Sequence, residues 1–354
     1  MRSEEIVLDR FFEALYQKVL VNIVRQSSKT LVYIEVCSKK GIVEHIHNEF
    51  ETLVPNEEMI AFIQLYTKES PYSYISMLDP SLVQGAIPTC NKNRISYYQD
   101  LSSYEYNCYE NKWAFFTIKS DLYALEKTYE TVGLDFVFSP FVLLANFFKD
   151  KTTLQIALYV LVQEESLSLS VFESGELLYA QHMEIEPFID NESSPFSQGD
   201  EFEVSEMDNV DDELEDIDEG IDLEDIDVDE EIESLEDFGD IEDLDSLEEI
   251  EQFADNRDVE EELLESEHEL QESDEEHFNE DYQRFSSIEK AVSTFYSDEK
   301  YESKFVENIY IADSIGVSSD LKKYLEEEMF LNVYIRNVDI GAEVCELAKE
   351  ELGL

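Results

Sequence analysis

The chain has 354 residues, room for two average domains, and its 24 basic against 86 acidic residues give a formal net charge of −62. That balance excludes a phosphate-backbone binder, which needs basic surface. The charge is concentrated: residues 191–281 hold 44 Asp and Glu and a single base, Arg257, leaving 42 acids and 23 bases for the rest. We therefore expect a foldable part and an acidic tract that self-repulsion keeps expanded and disordered.

In chain order, residues 4–26 place Leu8, Phe11, Phe12, Leu15, Val19 and Ile23 at spacings of three and four. This spacing predicts an amphipathic helix, and residues 1–29 are expected to form an N-terminal helical segment. The start lacks the clean apolar core and cleavage site of a signal peptide. Thr30–Cys37 and Gly41–His47 read as a strand hairpin, on which His45 and His47 share one face. Without a third ligand, that pair reads as an exposed strand face rather than a metal site.

A helix over Pro55–Lys68 follows, entered near Asn56, and then strands over Tyr72–Leu78 and Val83–Pro88. Residues 90–112, rich in Tyr and Asn, read as an irregular surface loop or protein contact. A strand over Trp113–Ile118, a helix over Ser120–Thr131 capped by Ser120, a strand over Asp135–Ser139 and a helix opened by Pro140 complete the first part. From Leu154, three successive strands turn at Glu173-Ser174-Gly175, a β-meander. After the tract come a helix over Ser286–Tyr296, a strand over Asn308–Ala312, a helix over Ser319–Met329 capped by Ser319, a strand over Asn332–Arg336 and a last helix from Gly341.

The four cysteines, Cys37, Cys90, Cys108 and Cys345, show no metal-type spacing and read as reduced and unpaired, as in a cytosolic chain. The longest apolar run, Val132–Phe148, is interrupted by Asp135 and Pro140 and falls short of a bilayer span. Inside the tract, apolar residues recur every third position from Ile232 to Phe253, a period that makes no continuous helical stripe. Asp225, Asp227, Asp229, Ile232 and Glu236 carry the spacing of a calcium loop, but Glu230 stands at the obligatory glycine, so no metal site is expected.

The segments TLVYIEVCSKKGIVEHI, SDLYALEKTYETVGLDFVFSPFVLLANFF, ALYVLVQEESLSLSVFESGELLYAQHMEI and FVENIYIADSIGVSSDLKKYLEEEMFLNV resemble successive signature segments of the PilM family. They are similar also to the cytoplasmic domain of type II secretion protein L. The resemblance implies an α/β chain of mixed sheets with a duplicated actin-like, ribonuclease H-like fold. The first lobe would span residues 30–150 and the second 151–190 and 286–354, interrupted by an acidic insertion over 191–285.

The departures fall where nucleotide chemistry would sit. Against the two Asp-x-Gly phosphate loops of actin-like ATPases stand Glu35-Val36-Cys37 and Val160-Leu161-Val162, and against the adenosine-side Gly-Gly stands Ala312-Asp313-Ser314. Losing the second carboxylate removes a magnesium-organising charge, and valine obstructs a positive-φ turn. Hydrolysis is expected to be lost and binding with it, so the resemblance implies no catalytic, cofactor or metal residues.

It also implies a cytoplasmic scaffold peripheral to the inner membrane, self-associating in a ring. Such a scaffold would hold the short tail of a single-span, PilN-like membrane protein in a groove of its first half and contact an assembly ATPase or ring component. Type IV pilus, DNA-uptake and type II secretion platforms suit this plan, as does a flagellar motor that has borrowed pilus parts. The rival readings are an active actin-like ATPase or sugar-kinase relative, and an acidic regulatory protein that binds a basic partner through residues 191–281.

Overall fold

In a computed structural model the described residues are 16–38, 41–185 and 280–354. All belong to one compact unit. β1 (Lys18–Arg25), β2 (Thr30–Ser38) and β3 (Gly41–Phe50) make an antiparallel meander. α1 (Glu57–Thr67), capped by the Asn56 side chain, leads to β4 (Ser73–Leu78), parallel to β1.

The chain then builds a separate small sheet from β5 (Gln84–Ile87), β6 (Tyr104–Tyr109) and β7 (Trp113–Ile118), with α2 (Lys92–Tyr98) inside it. Its order is β5-β7-β6. α3 (Lys119–Thr128), β8 (Phe136–Phe138), α4 (Pro140–Phe147) and the single turn α5 (Lys149–Thr152) close the first half.

The second half repeats the plan. β9 (Ala157–Val162), β10 (Ser166–Glu173) and β11 (Glu176–Glu184) form a meander, helical backbone over 280–297 is α6, and β12 (Asn308–Asp313) lies parallel to β9. α7 (Ser319–Glu327), β13 (Asn332–Asn337) and α8 (Ile340–Leu352) end it. The two large sheets have the same order, β3-β2-β1-β4-β8 and β11-β10-β9-β12-β13.

Helices cover both faces of each sheet, which explains the continuous apolar runs in β1 and β9. Val19, Val21 and Ile23 face α1 and α3, and Leu20 and Val24 face the inner layer. That inner layer is exchanged between the halves: α4 packs on β9 and β10, while α8 packs on β1, β2, β4 and β8. Gly341 permits this approach, because a Cβ there would lie 2.8 Å from the Tyr33 ring. Asn22, wholly buried in β1, donates through Nδ2 to the carbonyls of Ile340 and Gly341, each at 3.3 Å. On the outer side of the second sheet, buried Arg284 of α6 pairs with Asp281, whose Oδ2 accepts the N–H and hydroxyl of Ser318 at the start of α7.

Several expectations need correction. The predicted N-terminal helix is a strand over Lys18–Arg25, since apolar residues at nearly every position satisfy a period of 3.6 as readily as two-sided burial. Residues 1–15 lie outside the described residues. The segment 90–112 is not irregular: it supplies α2 and β6, whose alternation was hidden by polar residues on an exposed edge. α3 begins after Ile118 with no side-chain cap, and the cap of α7 is Ser318, one residue before the expected Ser319.

Cys90 and Cys108 are not unpaired but joined in a disulfide, Cα atoms 5.8 Å apart, which links the segment after β5 to β6. Residues 280–285, assigned to the insertion, are helical. The rest of the insertion, its three-residue period and its calcium-like spacing lie outside the described residues. No helix among the described residues is long and apolar enough to cross a membrane.

Candidate functional site

The tips of both meanders and the loops that follow the parallel strands line one cleft, a cavity of about 490 Å³. From the first half come the β1–β2 turn at Gln26 and Ser27 and the segment Leu78–Pro80. From the second come the β9–β10 turn at Gln163–Glu165, the loop at Ser314 and Ile315 and the start of α8. Duplicated turns thus face one another, the place where a phosphate chain could be held between two backbone nests.

Here the two turns are bonded directly. Glu164 Oε2 accepts the Ser27 N–H at 2.9 Å, and Oε1 accepts the Ser27 hydroxyl at 2.7 Å. Other donors are occupied in the same way. Asp313 Oδ1 accepts the N–H groups of Ile315 and Gly316 at 3.0 and 2.8 Å, and Oδ2 that of Val317 at 3.0 Å. Asp79 accepts from Ser81 N at 3.0 Å, and Asp339 caps α8 through Ala342 N at 3.1 Å. Carboxylates of the chain itself therefore accept from these backbone donors. Five acids, Glu49, Asp79, Glu164, Glu165 and Asp339, line the cavity against one guanidinium, Arg25. Burial pushes the Asp79 carboxyl up, its bonds to Ser81 opposing.

The predicted site residues divide. Val160, Leu161 and Val162 are fully buried in β9, below the turn that reaches the cleft. Ala312 is core, Asp313 is buried at the end of β12, Ser314 reaches the rim, and Ser314 donates to the Val162 carbonyl through N and Oγ at 3.2 and 2.8 Å. Glu35, Val36 and Cys37 are not at the cleft, because β2 runs away from it: Arg25 faces Thr30 at the turn and Lys18 faces Cys37 at the far end. Glu35 is instead a buried ion-pair partner of Lys349 on α8. Cys37 Sγ lies 3.2 Å from Glu35 Oε1, and burial first, then Glu35, pushes its thiol up to about 12. Ser27 and Glu164 were missed because the first meander was read from its second strand. Aligning the turn after β1 with the turn after β9 reveals both.

His182 on the cleft wall shares a 2.9 Å hydrogen bond between Nδ1 and Ser168 Oγ, and burial lowers its pKa to about 4. The unfolded chain, near 6.5, binds a proton that the folded one refuses, so this contribution is present above 6.5 and is lost as pH falls toward 4. The loss amounts to about 2 kcal/mol at pH 5. Urea midpoints at pH 7 and 5 are expected to differ less in His182→Gln than in the unsubstituted chain; an equal difference would refute this. No group of three His, Cys, Asp or Glu among the described residues is arranged to hold a metal.

A second concavity, about 310 Å³, lies in the first half between the edges of two sheets. β6 contributes Glu105, Tyr106 and Asn107, and β7 the floor of Phe115, Phe116 and Thr117. Leu122 and Glu126 of α3 and Asp135 and Val137 beside β8 form the opposite wall. β6 and β8 are both terminal strands of their sheets. The lining includes four acids, Asp79, Glu105, Glu126 and Asp135, and no Lys or Arg.

Two halves of identical strand order, interlocked through α4 and α8 around one cleft, define a protein of the duplicated actin-like, ribonuclease H-like fold. The chain belongs to the family described as Domain of unknown function (DUF8341), which matches residues 158–353, and a second domain of unknown function (DUF8569) matches residues 16–145. Among solved structures it is similar to a Bacteroides thetaiotaomicron protein with an actin-like ATPase fold and unknown function, at 12% identity and TM-score 0.41, covering 93% of this chain and 96% of that one. It is also similar to the PilM-PilN type IV pilus biogenesis complex, at 10% identity and TM-score 0.47, with 92% and 89% covered. No curated protein sequence matches the chain.

Proposed function

We propose that this chain is a non-catalytic actin-fold adaptor of a bacterial envelope platform. It holds the short cytoplasmic tail of a single-span membrane protein in the groove between β6 and β8. The observation that carries the non-catalytic part is the Glu164 carboxylate on the Ser27 N–H and hydroxyl, with Asp313 filling the neighbouring loop. A nucleotide would have to displace these carboxylates and enter a cavity whose fixed charge repels its phosphates. The groove supports the second part. Two terminal strands offer main-chain pairing to an extended peptide, the aromatic floor offers apolar pockets, and the four acids favour a tail that combines Lys or Arg with apolar anchors.

The test has two arms on the full chain. Millimolar ATP with Mg²⁺ is expected to leave the melting temperature unchanged, although binding a hundredfold above a dissociation constant would add about 2.7 kcal/mol. A clear nucleotide-dependent rise would restore the ATPase reading. Glu105 and Glu126 are exposed, so the double substitution Glu105→Lys and Glu126→Lys is expected to leave the fold intact and to release a solubilised single-span partner that the unsubstituted chain retains. Equal retention by both would move the binding site elsewhere.

A further inference from the structure

We propose that Cys90 and Cys108 form a reversible thiol–disulfide site that sets the stability of β6, one wall of the groove. The consequence for a docked tail rests on the reading just given; the redox site itself does not. β6 is the outer strand of a three-stranded sheet and pairs on one side only, with β7. Cys108 stands opposite Ala114 of β7, and Ala114 stands opposite Ile87 of β5, three residues before Cys90. The bond therefore ties β6 to the segment that follows β5, beside the middle strand. Without it, β6 keeps its ladder to β7 alone, while its residues 105–107 stay exposed to water. Such an edge opens more readily than a core strand.

Both cysteines are half-buried and pack beside Ile87, Ile95 and Ala114, so neither residue is sealed from water. The other two cysteines are held out of exchange. Burial, with Glu35 adding to it, pushes the thiols of Cys37 and Cys345 well above the usual cysteine range, so both stay protonated. The oxidant is a low-molecular-weight disulfide such as glutathione disulfide. One cysteine thiolate attacks it, forms a mixed disulfide and releases one small thiol. The second thiolate then attacks the protein-side sulfur, closes the Cys90–Cys108 bond and releases the second small thiol. Two electrons pass to the small disulfide, and the two cysteine protons end on the released thiols; excess small thiol runs the steps backward.

The experiment equilibrates the full chain across glutathione to glutathione-disulfide ratios. Alkylation and mass measurement report the state of Cys90 and Cys108, and amide exchange is followed in β6. In the oxidised form the Tyr104–Tyr109 amides are expected to exchange about tenfold slower or more, with β9 and β12 unchanged. Cys108→Ala keeps an apolar side chain at the site, and it should exchange like the reduced form in every buffer, as should Cys90→Ser. A pair that stays dithiol at all ratios, or β6 exchange that ignores the redox state, overturns the proposal. A partner held in the groove with redox-independent exchange would remove the switch and leave the groove reading. Redox-dependent exchange supports the switch whether or not a partner is found.

Discussion

Replacing Lys349 by methionine is expected to cost about 3–5 kcal/mol of stability, a fall in melting temperature on the order of 10 °C. Glu35 is 1% exposed in the middle of β2, and its cation is the Lys349 ammonium of α8. The same ammonium also binds Glu346 at 2.6 Å. Burial works to lower the Lys349 pKa, and the hydrogen bonds with Glu346 and Glu35 outweigh it, so the amine stays charged in the fold. Removing it strands a carboxylate in the inner layer, close to the thiols of Cys37 and Cys345. The pair itself adds little net stability, because forming it requires taking both charges out of water. The double substitution Glu35→Leu with Lys349→Met should therefore recover most of the loss. Denaturant midpoints check both, and a Lys349→Met chain within 1 kcal/mol of the parent would show that Glu35 reaches water or another donor.

Gly341→Val is expected to destabilise by about 2–4 kcal/mol and to loosen the seat of α8 on the first sheet. A Cβ at 341 would meet Tyr33 Cγ, Cβ and Cδ2 at 2.8, 2.9 and 2.9 Å, closer than carbon atoms pack. The ring cannot swing away freely, since it is 8% exposed and its hydroxyl is held by His45 Nδ1 at 2.8 Å. Even Gly341→Ala, which gains up to about 1 kcal/mol of helix propensity, is expected to lose overall because the clash is larger. Removing the ring relieves the clash, so Tyr33→Ala and Gly341→Val together should cost clearly less than the sum of the two. An additive result would mean that the close approach is relieved by a shift of the whole helix.

Both predictions concern α8, the element by which the second half grips the first. The sequence marks this helix clearly through Asp339 before it and Gly353 after it, yet nothing local says which sheet it covers. Its partner is chosen by the exchange of inner helices, a relation between residues some 320 positions apart such as Asn22 and Gly341.

Most strands and the order of elements could be read directly, because alternation, caps and turn residues act over a few positions. Asn56 at α1, Ser139 and Pro140 at α4 and the Ser174-Gly175 turn behave as local chemistry requires. β1 could not be read this way: buried on both faces, it shows the composition of a strand and the periodicity of a helix at once. That one misreading concealed the exact repeat of the two halves and moved the first phosphate turn from Ser27 to Glu35.

What the sequence alone determined is the α/β class and the chain order of most elements, properties of composition or short range. The tertiary structure decided what occupies the facing turns of the cleft. Only folding brings Glu164 onto Ser27 and Cys90 onto Cys108, and only folding puts Lys349 against Glu35. Each of these contacts is set by sheet register and helix exchange, which depend on the summed burial of both halves rather than on any neighbouring residue.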